Sequence, residues 1–260
     1  LDQIKKNSVL RVTSDQGILY NSNGLNFQII HGFSVFNNVQ DLFDKGWYLT
    51  KKGGLILPLA VDEHKRSKVF ALYVGLNKYF KKNFGYNLWV AHGSLLGLYR
   101  DRALIPFDDD FDLAYLSRMT NQREIMFERI HIASKMKLDG WNMSFSATGL
   151  FKLMPKDEVG DPEKDKYLDI MPAWWQNNHL FCLAWTMFKI TPEDMMPLQE
   201  VEYYGTKFLF PRRPEVFLRH KYGPGWNTPN KGYTPKRPAG SDQILNQGMA
   251  RPAEVAMFSL

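Results

Sequence analysis

Asn87-Leu-Trp-Val-Ala-His-Gly-Ser-Leu-Leu-Gly-Leu-Tyr-Arg-Asp-Arg-Ala-Leu-Ile-Pro-Phe-Asp-Asp-Asp-Phe-Asp-Leu-Ala-Tyr-Leu116 is the stretch from which the fold can be read. The short apolar run Leu88 to Ala91 predicts a buried strand. It stops at Gly93-Ser94, and an apolar helical turn carrying Arg100 follows. A loop then delivers Asp108, Asp109, Asp110 and Asp112 into a second apolar strand, Phe111 to Leu116. Carboxylates crowded beside a buried strand repel one another and lose hydration, so the arrangement calls for a cation. A divalent metal is the natural one, because hard cations take carboxylate oxygens.

Alternate residues of a strand share a face, so Asp110 and Asp112 point the same way while Phe111 and Leu113 face the core. Asp108 reaches that side from the loop, and Asp109 points elsewhere. Mg²⁺ or Mn²⁺ suits such a set, since these ions accept one or two carboxylates together with substrate phosphates. An EF-hand loop beginning at Asp108 would need glycine at 113 and glutamate at 119; the chain has Leu113 and Met119, so that reading fails. A glycosyltransferase using Asp-x-Asp alone stays open. Gly93 lets a ligand approach the backbone, the helix start offers free N–H groups to a phosphate, and the Ser94 hydroxyl can add a hydrogen bond.

Composition sets the frame for this site. At 260 residues, 44% of them apolar, the chain can bury one large domain or a domain with an extension. Its net charge of +6 contrasts with the local acidic cluster. A metal plus a phosphorylated substrate would account for both, while nucleic acid or an anionic membrane surface would account for the positive charge alone. The single cysteine, Cys182, lies among apolar neighbours, which excludes an intrachain disulfide and a Cys-based zinc site and predicts a buried structural thiol. No apolar run reaches the roughly 18–20 residues of a membrane-spanning helix, and no signal peptide is visible. The chain begins at Leu1 rather than Met, which is compatible with excision from a longer protein whose anchor or address has been cut away.

Residues 1–61 are predicted to be a β-rich extension, with short apolar pieces (Val9–Val12, Gly17–Tyr20, Phe27–Ile30, Gly46–Thr50) between Asn, Asp and Gly turns. Residues 62–85 carry the clearest helical period, through Val69, Leu72, Tyr73, Leu76, Tyr79 and Phe80, with Asp62 to cap it and Gly85 beyond its end. A second amphipathic helix is predicted over 121–136, and strands at Phe145, Leu150–Met154 and Tyr167–Met171, the last carrying Asp169. Lys156 to Lys166 reads as a solvated charged loop, and Pro172–Trp185 as an aromatic-rich segment. A hairpin (Val201–Tyr204, Lys207–Phe210) and a short helix (Glu215–Lys221) follow. Residues 229–260, rich in proline, are expected to be an extended tail packed on a domain spanning 62–228.

A Gly-Ser turn followed by an Asp-x-Asp strand resembles the nucleotidyltransferase fold. In that fold a third carboxylate on a later strand completes the metal site or helps deprotonate the attacking hydroxyl, and Asp169 is the matching residue here. His92 to Arg100 and then Ile105-Pro-Phe-Asp-Asp-Asp-Phe-Asp112 resemble, more narrowly, the LicD family, which includes bacterial phosphocholine transferases and is related to fukutin and fukutin-related protein. Leu168-Asp-Ile-Met-Pro172, Pro197-Leu198 through Tyr204-Gly205 to Pro211, and Phe217 to Gly223 continue the similarity in order. The resemblance spans about residues 65–228; Phe107 departs from it, standing where the family usually has Trp.

The fold so implied is α/β (α+β), a mixed sheet flanked by helices. The activity implied is metal-dependent transfer of a phospho-alcohol from a CDP-activated donor to a hydroxyl of a glycan or polysaccharide. On that reading Asp108, Asp110, Asp112 and Asp169 hold the metal, Asp169 is the candidate base, and Gly93, Ser94 and Arg100 contact phosphate. Lys152 and Lys166 are further phosphate candidates, and Tyr222 and Trp226 could stack on the base or line the acceptor groove. His92 is expected to be a structural hydrogen-bonder. No nucleic-acid partner is expected, and membrane association would come through a missing segment. The expected compartment is the cytoplasm, or the Golgi lumen in a eukaryote. The alternatives are a nucleotidyltransferase, an Asp-x-Asp glycosyltransferase, and a non-catalytic glycan-binding relative.

Overall fold

The computed structural model describes residues 13–14, 17–18, 26–31, 34–49, 55–108, 110–146, 150–158, 160, 162, 167–183, 186–230, 233–234, 236 and 238–241. Asp109, Lys166, the apolar piece Val9–Val12 and most of the proline-rich 229–260 segment therefore lie outside the described residues. The extension forms antiparallel pairs: β1 (Thr13–Ser14) with β2 (Gly17–Ile18), β3 (Asn26–His31) with β4 (Ser34–Asn38), and, after the short helix α1 (Val39–Asp44), β5 (Tyr48–Leu49) with β6 (Leu55–Ile56).

Helix α2 (Glu63–Phe84) forms where its period predicts it. The Asp62 side chain accepts the Lys65 N–H at 2.8 Å, and Gly85 closes the other end in the left-handed region at φ 73°. Such a cap is worth about 1 kcal/mol. Val69, Phe70, Leu72, Tyr73, Leu76 and Phe80 are buried, each contributing about 1.5–3 kcal/mol of apolar burial. They pack near β7 (Leu88–Val90), which leads into helix α3 (His92–Leu96) and a π-helical turn, Gly97–Asp101.

β8 (Phe111–Leu116) runs antiparallel to β7, and helix α4 (Gln122–Leu138) follows, capped by Asn121 through the Glu124 N–H. β9 (Met143–Phe145) and β10 (Phe151–Leu153) form an antiparallel pair, and then the chain enters β11 (Leu168–Gln176). β11 is the centre of the sheet. It pairs in parallel with β8 along one edge; along the other it pairs antiparallel with β10 through its first half and with β12 (His179–Cys182) through its second. β13 (Thr186–Phe188) extends the sheet beyond β12. The seven strands make one mixed sheet flanked by helices, the α/β class expected from the sequence.

The aromatic-rich segment after Pro172 is the continuation of β11 together with β12; it becomes sheet because Ala173, Trp174, Leu180, Phe181 and Cys182 are all buried. The short helix α5 (Pro192–Met195) precedes the hairpin β14 (Gln199–Tyr203) and β15 (Thr206–Phe210), and helix α6 (Pro214–Tyr222) closes the described fold against α3 and β13. Among the described residues no helix is long and apolar enough to cross a membrane.

Candidate active site

The site is built where β7 turns into α3, beside the start of β8. The Ala91 N–H donates to the Asp112 carbonyl at 2.9 Å, so β7 and β8 stay paired up to the turn. The Gly93 N–H then donates to the Asp112 carboxylate at 3.2 Å, and the Asp112 N–H donates to the Ser94 hydroxyl oxygen at 2.9 Å. Ser94, only 1% exposed, thus braces the acidic strand against the helix start. The Ser94 hydroxyl oxygen, expected from the sequence to meet a phosphate, here positions Asp112 by accepting its N–H.

Two glycines of this segment are sterically required. A Cβ on Gly93 would lie 2.6 Å from the Asp108 Oδ2, so the missing side chain is what lets the Asp108 carboxylate settle over the turn. A Cβ on Gly97 would lie 2.7 Å from the Ala103 carbonyl oxygen and 2.8 Å from the Ile105 nitrogen, so Gly97 lets the loop leading to the acids cross the π-helical turn. Extra-wide helical turns of this kind often sit beside functional sites.

Asp110 lies in a bend before β8 rather than within the strand, so strict alternation does not set its direction. The acids nevertheless converge electrostatically. Asp112 keeps part of its surface open, yet its carboxyl is raised well above the usual range, first by desolvation and then by Asp110, Asp108 and Asp169. Asp169 is the direct register partner of Asp112 across the parallel β8–β11 pair. Lys152 on β10 is the register partner of Asp169, which gives a row Lys152–Asp169–Asp112 across three adjacent strands.

Burial and three further carboxylates disfavour the charged form of Asp112, a crowding that a bound cation would relieve, and the all-oxygen donor set is of the kind Mg²⁺ or Mn²⁺ accepts. Among the described residues no three His, Cys, Asp or Glu side chains are drawn tightly enough together to enclose an ion.

The remaining candidates fall into two groups. Arg100 is engaged by its neighbour: its Nε and Nη2 donate to the two Asp101 carboxylate oxygens at 2.7 Å each, and its Nη1 donates to the Trp226 carbonyl at 3.3 Å. Its Nη1 thereby ties the 226 turn to the π-helical turn. Tyr222 is brought to the acids by α6: its hydroxyl pKa is pushed far up by burial and by Asp112 and Asp108, and its ring lies 5.1 Å from that of Tyr233. Trp226 packs its ring 5.9 Å from that of Tyr99.

His92 is buried behind the site. Its Nε2 lies 3.0 Å from the Met171 sulfur and 3.7 Å from the Cys182 sulfur, and desolvation, reinforced by Lys221, holds its pKa well below the usual value. It is a neutral core group. Lys221 itself escaped the sequence reading. Its signals were a spacing of four residues from the apolar Phe217 in a short helix and a place within the Phe217–Gly223 segment of the resemblance.

With this geometry in view, the likenesses to known proteins fall into place. Residues 85–213 match the LicD/FKTN/FKRP nucleotidyltransferase domain, a span that takes in the Gly-Ser turn, the acid loop, β8 and the Asp169 strand. An uncharacterized protein of Rickettsia typhi is 22% identical over 182 residues, covering 69% of this chain and 53% of that protein. The chain thus spans about half the length of the curated relative it matches. Through its residues 85–213, the chain belongs to the LicD family.

Proposed function

We propose that this protein is a metal-dependent phosphotransferase that moves a phospho-alcohol, such as phosphocholine or ribitol phosphate, from a CDP-linked donor to a hydroxyl of a glycan or polysaccharide. The observation that carries the reading is the Asp112–Asp169 register pair, crowded by Asp108 and Asp110 beneath the Gly93 turn. LicD membership supports transfer of a phosphorus-containing group.

In this reading Asp112 and Asp169, aided by Asp108 and Asp110, hold Mg²⁺ or Mn²⁺. The ion, when bound, offsets diphosphate charge and stabilises the departing nucleotide. Gly93 and Ser94 keep the Asp112 carboxylate aimed through the bonds described above. Asp169 takes the proton of the acceptor hydroxyl as its oxygen attacks phosphorus in line. Lys152, beside Asp169 in the row, supplies positive charge to the phosphates. Tyr222 and Trp226 line the side of the site from which the nucleoside or the acceptor enters. The cytoplasm is the compartment this reading favours.

Incubation with CDP-choline, CDP-ribitol or CDP-glycerol, Mg²⁺ or Mn²⁺ and a glycan acceptor tests the proposal. CMP release with a new phosphodiester on the acceptor is the expected result. Pyrophosphate release from a nucleoside triphosphate would replace it with nucleotidyl transfer, and a new glycosidic bond would replace it with glycosyl transfer.

A further inference from the structure

Phe217 in α6 is fully buried, its ring 5.3 Å from Trp89, 5.7 Å from His92 and 5.7 Å from Phe188. Those contacts fix which side of α6 faces the β7–α3 turn. Lys221 lies four residues on, one turn further along the same face, which places it on the side of α6 that meets α3. Three groups act on it or feel it. Lys221 lowers the pKa of His92, while Cys182 and Asp112 act on Lys221, whose own pKa is lowered by desolvation. The last turn of α6 is also tied down, because the Tyr233 hydroxyl donates to the Lys221 carbonyl at 3.0 Å.

We propose that Lys221 is a phosphate-binding residue of this site, holding the phosphate that stays with the nucleotide when the phospho-alcohol is transferred. The inference rests on the transfer reading above and adds to it. Four carboxylates repel a diphosphate, and the Arg100 fork is engaged by Asp101. A compact ammonium, partly withdrawn from water at the edge of the acids, supplies the charge that is needed, and withdrawal from water strengthens its pull on an anion. In the transfer, the acceptor oxygen forms the new P–O bond and its proton passes to Asp169. The bond from that phosphorus to the bridging oxygen breaks, and its electron pair leaves on the nucleoside monophosphate. Lys221 keeps its proton throughout and faces the charge that grows on the leaving phosphate.

Isothermal titration of magnesium pyrophosphate into the wild type, Lys221→Met and Lys221→Arg tests this without turnover. Lys221→Met retains the apolar stem and should bind at least about tenfold more weakly, with Lys221→Arg recovering part of the loss. Mn²⁺ binding in the absence of pyrophosphate should be retained in Lys221→Met, which separates anion binding from damage to the acids. If Lys221→Met melts far below the wild type, Lys221→Gln takes its place in the comparison. Equal pyrophosphate affinity in the wild type and the uncharged variant, or no pyrophosphate binding by the wild type, overturns the proposal. Pyrophosphate binding that depends on Lys221, in a protein that releases no CMP from any CDP-alcohol, would remove the transfer reading and leave the phosphate site standing.

Discussion

Asp112 and Asp169 stand directly opposite each other in the parallel strands β8 and β11, so two carboxylates more than fifty residues apart in the chain leave the same face of the sheet side by side. Their proximity costs stability in the absence of a cation, and a shared cation would offset the repulsion. Asp112→Asn and Asp169→Asn should therefore each lower transfer by about 100-fold or more. Without metal, the melting temperature of each variant should equal or exceed that of the wild type by a few degrees, because one crowded charge is gone. Asn at 112 can still accept the Gly93 N–H through its amide oxygen. Melting curves with and without Mn²⁺ read out both halves; near-normal turnover in both variants would remove the two acids from the mechanism.

Gly93 and Gly97 separate site geometry from stability. At Gly93 a methyl group meets the far end of the Asp108 side chain, which can swing away, so Gly93→Ala should weaken Mn²⁺ binding while leaving the fold nearly as stable. At Gly97 the methyl group meets backbone at Ala103 and Ile105, which cannot move without shifting the whole acid loop. Gly97→Ala should cost about 1–3 kcal/mol of stability. Urea unfolding paired with Mn²⁺ titration distinguishes the two effects.

Asp194 gives α6 a pH-dependent anchor. Desolvation pushes its pKa up, but hydrogen bonds from Thr191 and the Arg213 guanidinium outweigh this and hold it below the ordinary carboxylate value. Arg213 also donates its backbone N–H to the Asp194 carbonyl at 2.9 Å, next to the first turn of α6. A carboxylate whose pKa is lower in the folded state contributes stability above its unfolded value of 3.8 and loses it as pH falls through the folded value. The melting-temperature gap between the wild type and Asp194→Asn should therefore be widest near neutral pH and close in acid below that value. A gap independent of pH would show that the carboxylate charge contributes nothing.

Cys182 should be inert. It is fully buried in β12, and desolvation pushes its thiol up to about 12, so almost no thiolate exists at neutral pH. Ellman's reagent should leave the folded protein unmodified at pH 8 and titrate one thiol after denaturation. Rapid labelling of the native protein would contradict the placement of β12 in the core.

Local chemistry carries far in this chain. Asp62 and Gly85 bracket α2 as their cap preferences dictate, Gly205 follows Tyr204 at the turn of the β14–β15 hairpin, and the Gly-Ser turn and acid loop could be read directly as a site. Two strands of the central sheet show why others were not legible. β12 and β13 are short, separated by few residues and set in a run of aromatics, where no period of two can be seen; only pairing, β12 with β11 and β13 with β12, makes them sheet. The π-helical turn at Gly97–Asp101 was equally hidden, because it depends on a loop crossing over Gly97.

The sequence by itself determined the identity of the acids, the glycine turn beside them and the helices whose caps and apolar faces are local. Only the tertiary structure decided which groups meet. Register across β10, β11 and β8 aligns Lys152, Asp169 and Asp112, and α6 carries Lys221 and Tyr222 to the same acids. It also turns Ser94 into a brace and commits Arg100 to Asp101. Caps and turns depend on neighbours a few residues away, whereas strand register and helix docking are set by burial shared among distant segments.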